Sequence, residues 1–283
     1  MGRVDLHLHS TASDGKLTPE EIVAKAAALG LRYIALTDHD SVDGIEPAVK
    51  AAGAFPSLNF IPGVEVSTDV PEGEIHILGY FIDYHSKELA DTLKRFRNSR
   101  ETRARGMIDK LGKLGIAIAW PRVHEIAGEG AIGRPHIAQA MLEKGYISSF
   151  KEAFDKYIGR DGPAYVERKK MTPGEAVALV LRAGGIPVLA HPFTVKDPER
   201  WVATLKRAGM IGIEAYYKDN TPENIRTTLA LAKKYGLIAT GGTDFHGIED
   251  AGEVMIGGVD VPVTAAKRLI GMANNKSLRY NVW

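Results

Sequence analysis

The sequence predicts an α/β fold: a mainly parallel sheet built of βα units, with a helical insertion. Three observations carry that expectation. Short apolar runs alternate with amphipathic segments, several of which open on Thr-Pro and close on glycine. Most of the apolar runs end on His, Asp or Glu. The alternation lapses after Ser86, gives way to helical patterns, and resumes near Lys169. One barrel-like body in two parts, 1–86 and 169–283, with a helical insertion at 87–168, accounts for all three.

The first strand is Val4 to His9. Val4, Leu6 and Leu8 alternate with Asp5, His7 and His9, which puts Asp5 and both histidines on one face. A polar turn with Asp14-Gly15 follows. Thr18-Pro19-Glu20-Glu21 then opens a helix, with a hydroxyl cap and acids at the positive dipole end. Arg32 to Leu36 is a buried strand running into Thr37-Asp38-His39-Asp40. Leu58 to Ser67 is a strand carrying Glu65, and Glu74 to Tyr80 one carrying His76. The insertion reads as helices over Leu89–Leu114, Ile132–Lys144 and Ser149–Ile158. Beyond it lie a helix from Thr172, a strand ending on His191, a helix from Pro198, a strand carrying Glu214, a helix from Thr221, and a strand ending on Thr243-Asp244-Phe245-His246.

Composition narrows the chemistry. Of 283 residues, 45% are hydrophobic and 25% charged, as expected of a soluble globular protein. A net charge of +1 gives no global footprint for duplex DNA. With no cysteine there is no thiolate nucleophile or thiolate metal site, so any metal must be held by imidazoles and carboxylates. No long apolar run or signal-like segment stands out, so a cytoplasmic protein without a membrane span is the expectation.

Taken singly, each polar strand end has an ordinary reading: His76 as a core histidine, Asp38 as a helix cap, Asp14 as a turn residue. Together, His7, His9, His39, His76, His191 and His246 with Glu65 and Asp244 fall at one edge, where α/β folds build their sites. Asp244 and His246 repeat the i, i+2 spacing of His7 and His9. One ion would use half of these ligands, so the surplus points to two or three ions. A bridging carboxylate such as Glu65 suits paired cations that activate water and clamp a phosphate ester.

Asp5-Leu6-His7-Leu8-His9, Thr37-Asp38-His39-Asp40, Gly63-Val64-Glu65, Ala190-His191-Pro192 and Thr243-Asp244-Phe245-His246 resemble the PHP (polymerase and histidinol phosphatase) family of metal-dependent hydrolases. The resemblance covers nearly the whole chain. It implies a distorted (β/α)7 barrel and a trinuclear centre of Mn, with Fe, Zn or Mg as other occupants. It further implies His7, His9, Glu65 and Asp244 for the first ion, Glu65, His76 and His136 for the second, and Asp14, His39 and His246 for the third. The insertion is most similar to that of small phosphoesterases acting on 3′,5′-nucleotide bisphosphates or short 5′-phosphorylated RNA. That implies His191 as a general acid or phosphate ligand and Arg134 as a bidentate phosphate clamp.

Arg97, Arg100 and Arg103 step along one helix face, which suits a solvated face or a second phosphate; Arg168 and Lys169 are further candidates. Glu214 ends an apolar strand as the ligands do, yet matches no ligand position in the family. Histidinol-phosphate phosphatase is the nearest alternative, disfavoured by the arginine-rich insertion. A catalytically silent metal-binding module is disfavoured by the complete ligand set, and an amidohydrolase by the want of a metal-bridging lysine.

Overall fold

The computed structural model describes residues 4–70, 73–128, 132–167, 171–247 and 253–275. In chain order the elements are β1 (Val4–Leu8), α1 (Pro19–Ala28), β2 (Tyr33–Leu36), α2 (Ile45–Ala52), β3 (Asn59–Val70) and β4 (Gly73–Tyr80). Then come α3 (Lys87–Lys113), α4 (Trp120–Ala127), α5 (Arg134–Glu143) and α6 (Phe150–Ala153), the last continued by a π turn, Phe154–Ile158. They are followed by α7 (Pro173–Arg182), β5 (Ile186–Leu189), α8 (Pro198–Arg207), β6 (Gly212–Tyr217), α9 (Pro222–Tyr235), β7 (Ile238–Gly242) and α10 (Val263–Asn274). The chain divides into two compact units, Met1–Thr92 with Lys170–Trp283, and Leu93–Lys169.

In the first unit the seven strands pair in chain order, β1 to β7. A parallel bridge between Leu8 and Phe245 brings β7 back towards β1, so the sheet is a nearly closed barrel. The barrel is not uniformly parallel. β4 runs antiparallel to both β3 and β5, pairing with β3 from Gly63–Tyr80 to Val70–Gly73 with no helix between the two strands. This reversal is the distortion of the barrel.

Local sequence explains the helix starts. Thr18 and Thr172 each form a capping box, with the Thr hydroxyl accepting from the N–H of Glu21 or Glu175 and the Glu carboxylate accepting in return from the Thr N–H. Pro follows in the first turn, where its missing N–H costs nothing. Thr221 caps α9 likewise, and Gly236 ends that helix at φ 61°, a left-handed conformation that glycine takes without strain. A buried apolar cluster joins residues of β1 to β5 to α10, including Leu6, Tyr33, Leu78, Tyr80, Val188 and Leu269. Neither α4 nor α10 is among the helices expected from the sequence.

β1 departs from simple alternation. Asp5 pairs with Ile34 and Leu8 with Leu36, so three steps on β1 oppose two on β2. The extra residue is a bulge, which re-aims the side chains beyond it. Leu6 joins the cluster with Tyr33, whereas Leu8 packs with Ile34 and Leu36. Asp5 therefore does not share the task of His7 and His9. Its buried carboxylate accepts from Thr243 N and Oγ1 (2.9 and 2.7 Å) and from Gly257 N (2.9 Å), tying β1 to the segment after β7.

The second unit has its own apolar core, in which Met107, Leu111, Val123, Ile137 and Met141 are buried. No described helix is long and apolar enough to cross a membrane.

Candidate metal centre

The ligand cluster lies entirely in the first unit and is organised on Glu65 of β3. Its Oε2 lies 3.1 Å from His7 Nε2, 3.2 Å from His9 Nε2 and 3.1 Å from His39 Nδ1. Its Oε1 lies 2.9 Å from His76 Nδ1 and 3.0 Å from His191 Nε2. Five imidazoles thus converge on one carboxylate. The reversed β4 supplies His76: it pairs with Ser67, one diagonal step from Glu65, and so shares its face. His39 follows β2, where Glu65 N donates to Asp38 O and Asp40 N to Glu65 O.

Asp244 faces the cluster from the other side. Its Oδ1 stands 3.4 Å from His7 Nε2 and 3.1 Å from His9 Nε2. Its backbone is left-handed, at φ 50°, an uncommon state for a residue with a Cβ. Asp14, reached through the turn after β1, lies 3.4 Å from His246 Nε2 and 4.0 Å from His39 Nε2. Asp38 holds that turn, accepting from Ser10 N and Oγ (both 2.7 Å) and from Ser13 Oγ (2.6 Å). It is an anchor for the loop of Asp14.

Three sets of donor atoms are close enough to share an ion: His7, His9, Glu65 and Asp244; His39, Glu65 and His76; and His9, Asp14, His39 and His246. The donor set fits divalent cations. His9 is fully buried, yet neither of its ring nitrogens has a hydrogen-bond partner, and Asp14 Oδ1 is likewise buried and unpartnered. Buried polar atoms normally find partners, and a cation would supply them here. The set has imidazole and carboxylate donors and no thiolate, as borderline and hard divalent ions prefer.

Without cations the charges are met by protons. Burial pulls His9 down, but the nearby carboxylates of Asp244 and Glu65 outweigh it and push the imidazole up to about 10. Burial likewise opposes His76, yet the charge of Glu65 raises it to about 9. Burial holds His39 down at about 3, although Glu65 and Asp14 pull it up. Burial works against ionisation of Glu65 too, but the charges of His7 and His76 and the hydrogen bond with His191 keep it well below the ordinary carboxylate range.

The PHP-domain family model matches residues 5–159. The 3′,5′-nucleoside bisphosphate phosphatase of Chromobacterium violaceum is 34% identical over 262 residues, covering 89% of this chain and 90% of that protein. The chain belongs to the PHP-domain family. The 5′-3′ exoribonuclease Rnm of Escherichia coli is 35% identical over 249 residues, covering 86% of this chain and 84% of its own. A solved structure of an amidohydrolase from Chromobacterium violaceum with bound sulfate superposes with a TM-score of 0.84 at 32% identity, over 95% of this chain and 96% of that one.

Against the PHP ligand pattern, the structure brings His7, His9, Asp14, His39, Glu65, His76, Asp244 and His246 together, and His191 with them. His136 and Arg134 lie on α5 of the second unit. His136 Nδ1 accepts from Gly133 N (3.0 Å), a capping role at its own helix start, and the Arg134 guanidinium lies 5.3 Å from the Phe154 ring centroid. On α3, Arg103 donates to Val166 O (3.0 Å), and Arg105 lies 3.8 Å from the Trp120 ring centroid. Arg168 and Lys169 fall outside the described residues. Sequence reasoning missed Tyr217 and Lys218, whose side chains both reach Asp244 Oδ2 (3.0 and 3.2 Å). Their one signal was position, at and just past the end of an apolar strand.

Proposed function

We propose that this PHP-family phosphoesterase hydrolyses phosphate monoesters of small nucleotides, either 3′,5′-bisphosphates or short 5′-phosphorylated oligonucleotides. In this reading it uses two or three divalent ions, with Mn first and Fe, Zn or Mg as other occupants. The observation that carries the reading is the sharing of Glu65 by five imidazoles through both its oxygens. A carboxylate used on both sides is what adjacent cations require. The relatives named as a nucleoside bisphosphate phosphatase and an exoribonuclease supply the substrate class.

His7, His9, Glu65 and Asp244 would hold one ion, and Asp14, His39 and His246 another. Glu65 and His76 would hold the remaining one with His191, whose Nε2 reaches the same Glu65 oxygen as His76 Nδ1. This assigns His191 as a ligand in preference to a proton donor. The family resemblance implies His136 for that ion, but its Nδ1 is engaged by Gly133 N–H. Arg134 keeps the phosphate-binding role that the resemblance implies.

Bound divalent cations supply Lewis-acid charge to a phosphate and activate water at neutral pH. The chain's own residues fix where that happens. His7, His9 and Glu65 form a floor closed to solvent, with side chains at most 1% exposed. Asp14 at 29% and His246 at 16% form the open rim, and a phosphate ester would approach across them. His246 is held with Nε2 towards Asp14, because its Nδ1 donates to Asp244 O (2.9 Å).

Phosphate release in the presence of Mn(II) tests the reading on four substrates: adenosine 3′,5′-bisphosphate, histidinol phosphate, an aryl phosphate and a 5′-phosphorylated RNA trimer. Preference for the bisphosphate or the trimer is expected. Preference for histidinol phosphate would keep the centre and overturn the substrate. No release from any of the four, with Mn(II) bound, would overturn the catalytic reading.

A further inference from the structure

Three residues of the β6 end contact the cluster without belonging to any of its three donor sets. Glu214 is fully buried. Its Oε1 lies 3.0 Å from His7 Nδ1, and its Oε2 accepts from the backbone N–H of His191 at 2.8 Å. Three residues on, Tyr217 Oη donates to Asp244 Oδ2 at 3.0 Å. Lys218 Nζ donates to the same oxygen at 3.2 Å and to Asp244 O at 3.0 Å.

A bulge makes this possible. Glu214 pairs with Thr240 and Tyr216 with Gly241, so β6 carries one extra residue between them. Strict alternation would send residues 214 and 217 to opposite faces. The inserted residue lets both reach the cluster.

We propose that β6 is a positioning strand for the metal centre: Glu214 orients His7 and anchors His191, while Tyr217 and Lys218 orient Asp244. The proposal rests on the metal-centre reading above. A carboxylate can only accept, so contact with Glu214 Oε1 places a hydrogen on His7 Nδ1 and leaves Nε2 directed at Glu65 and Asp244. His191 sits at φ 25°, outside the regions that L residues prefer. The Glu214 carboxylate holds its N–H in that conformation. Asp244 is divided in the same way. Its Oδ1 faces His7 and His9, and its Oδ2 is bound from behind by Tyr217 and Lys218.

The contacts of these three residues fall on the His7–His9–Glu65–Asp244 set and on His191. Asp14 and His246 are held by other groups: Asp38 anchors the Asp14 turn, and Glu253 accepts from His246 N and Gly247 N (both 2.8 Å). Loss of the β6 contacts should therefore weaken part of the centre and spare the rest.

Glu214→Gln is the sharp test. Gln offers one acceptor where the site needs two, and an amide NH2 turned to His7 would move the ring hydrogen to Nε2. Full-length wild type and variants are stripped of metal, and Mn(II) binding is followed by equilibrium dialysis with elemental analysis. E214Q is expected to bind fewer Mn(II) ions per chain, or to bind part of them about 10- to 100-fold more weakly, as loss of an orienting partner typically does. The other ions should be retained with unchanged affinity. Tyr217→Phe combined with Lys218→Met, at a partly exposed strand end, keeps the test open should E214Q fail to fold. It is expected to fold and to weaken Mn(II) binding by about 10-fold. Binding isotherms of the folded variants that superpose on the wild type, or a uniform loss of every ion, would overturn the proposal. The readout is metal binding, so a failure to hydrolyse nucleotides would strike the substrate reading and not this one.

Discussion

Glu65→Gln is expected to cost turnover at least roughly 10²–10³-fold and to remove Mn(II) from two of the three donor sets. The substitution keeps the size of the side chain and one acceptor but deletes the charge. In the native cluster that charge is shared by His7, His9, His39, His76 and His191. An amide keeps one accepting oxygen, and its NH2 opposes the imidazoles on its other side. The metal-free variant should also be less stable, by up to about 3–5 kcal/mol, because buried charge partners are left without their counter-charge. Phosphate release and Mn(II) content, measured on one preparation, check both effects. Wild-type Mn(II) content in this variant would refute the bridging role.

His191→Ala is expected to lower turnover by roughly 10²–10³-fold, with loss of one bound ion. The assignment follows from position. His191 Nε2 and His76 Nδ1 meet the same Glu65 oxygen, and their ring centroids are 5.0 Å apart. The residue follows β5 directly, and the 3₁₀ turn Pro192–Thr194 begins beside it, so its backbone is fixed from both sides. A variant that loses turnover but keeps every ion would return His191 to the role that the family resemblance implies, general acid or phosphate ligand.

Much of this was legible in the sequence because the ligands come in pairs tied to strand ends. His7 and His9, and Asp244 with His246, announce themselves by i, i+2 spacing after apolar runs, and Thr-Pro-x-Glu marks the helix starts. The reversal of β4 was not legible, since an apolar run containing one histidine reads the same in either direction. Nor was the bulge in β1, which separates Asp5 from His7 although alternation would place them together. The second bulge hid the service of Glu214, Tyr217 and Lys218 in the same way. A bulge is set by how a strand pairs with its neighbour, and a single strand's pattern does not record it.

The central claim is that this cluster works by holding divalent cations. The most direct measurement is phosphate release from adenosine 3′,5′-bisphosphate by metal-stripped protein titrated with Mn(II) at pH 6.5 and pH 8.5. In the stripped protein His9 and His76 hold protons up to about 10 and about 9, so cations must displace protons, and that competition weakens as pH rises. The account predicts no release before Mn(II) is added, release that saturates with Mn(II), and a lower half-saturating concentration at pH 8.5. Full release by the stripped protein in the presence of chelator would contradict it.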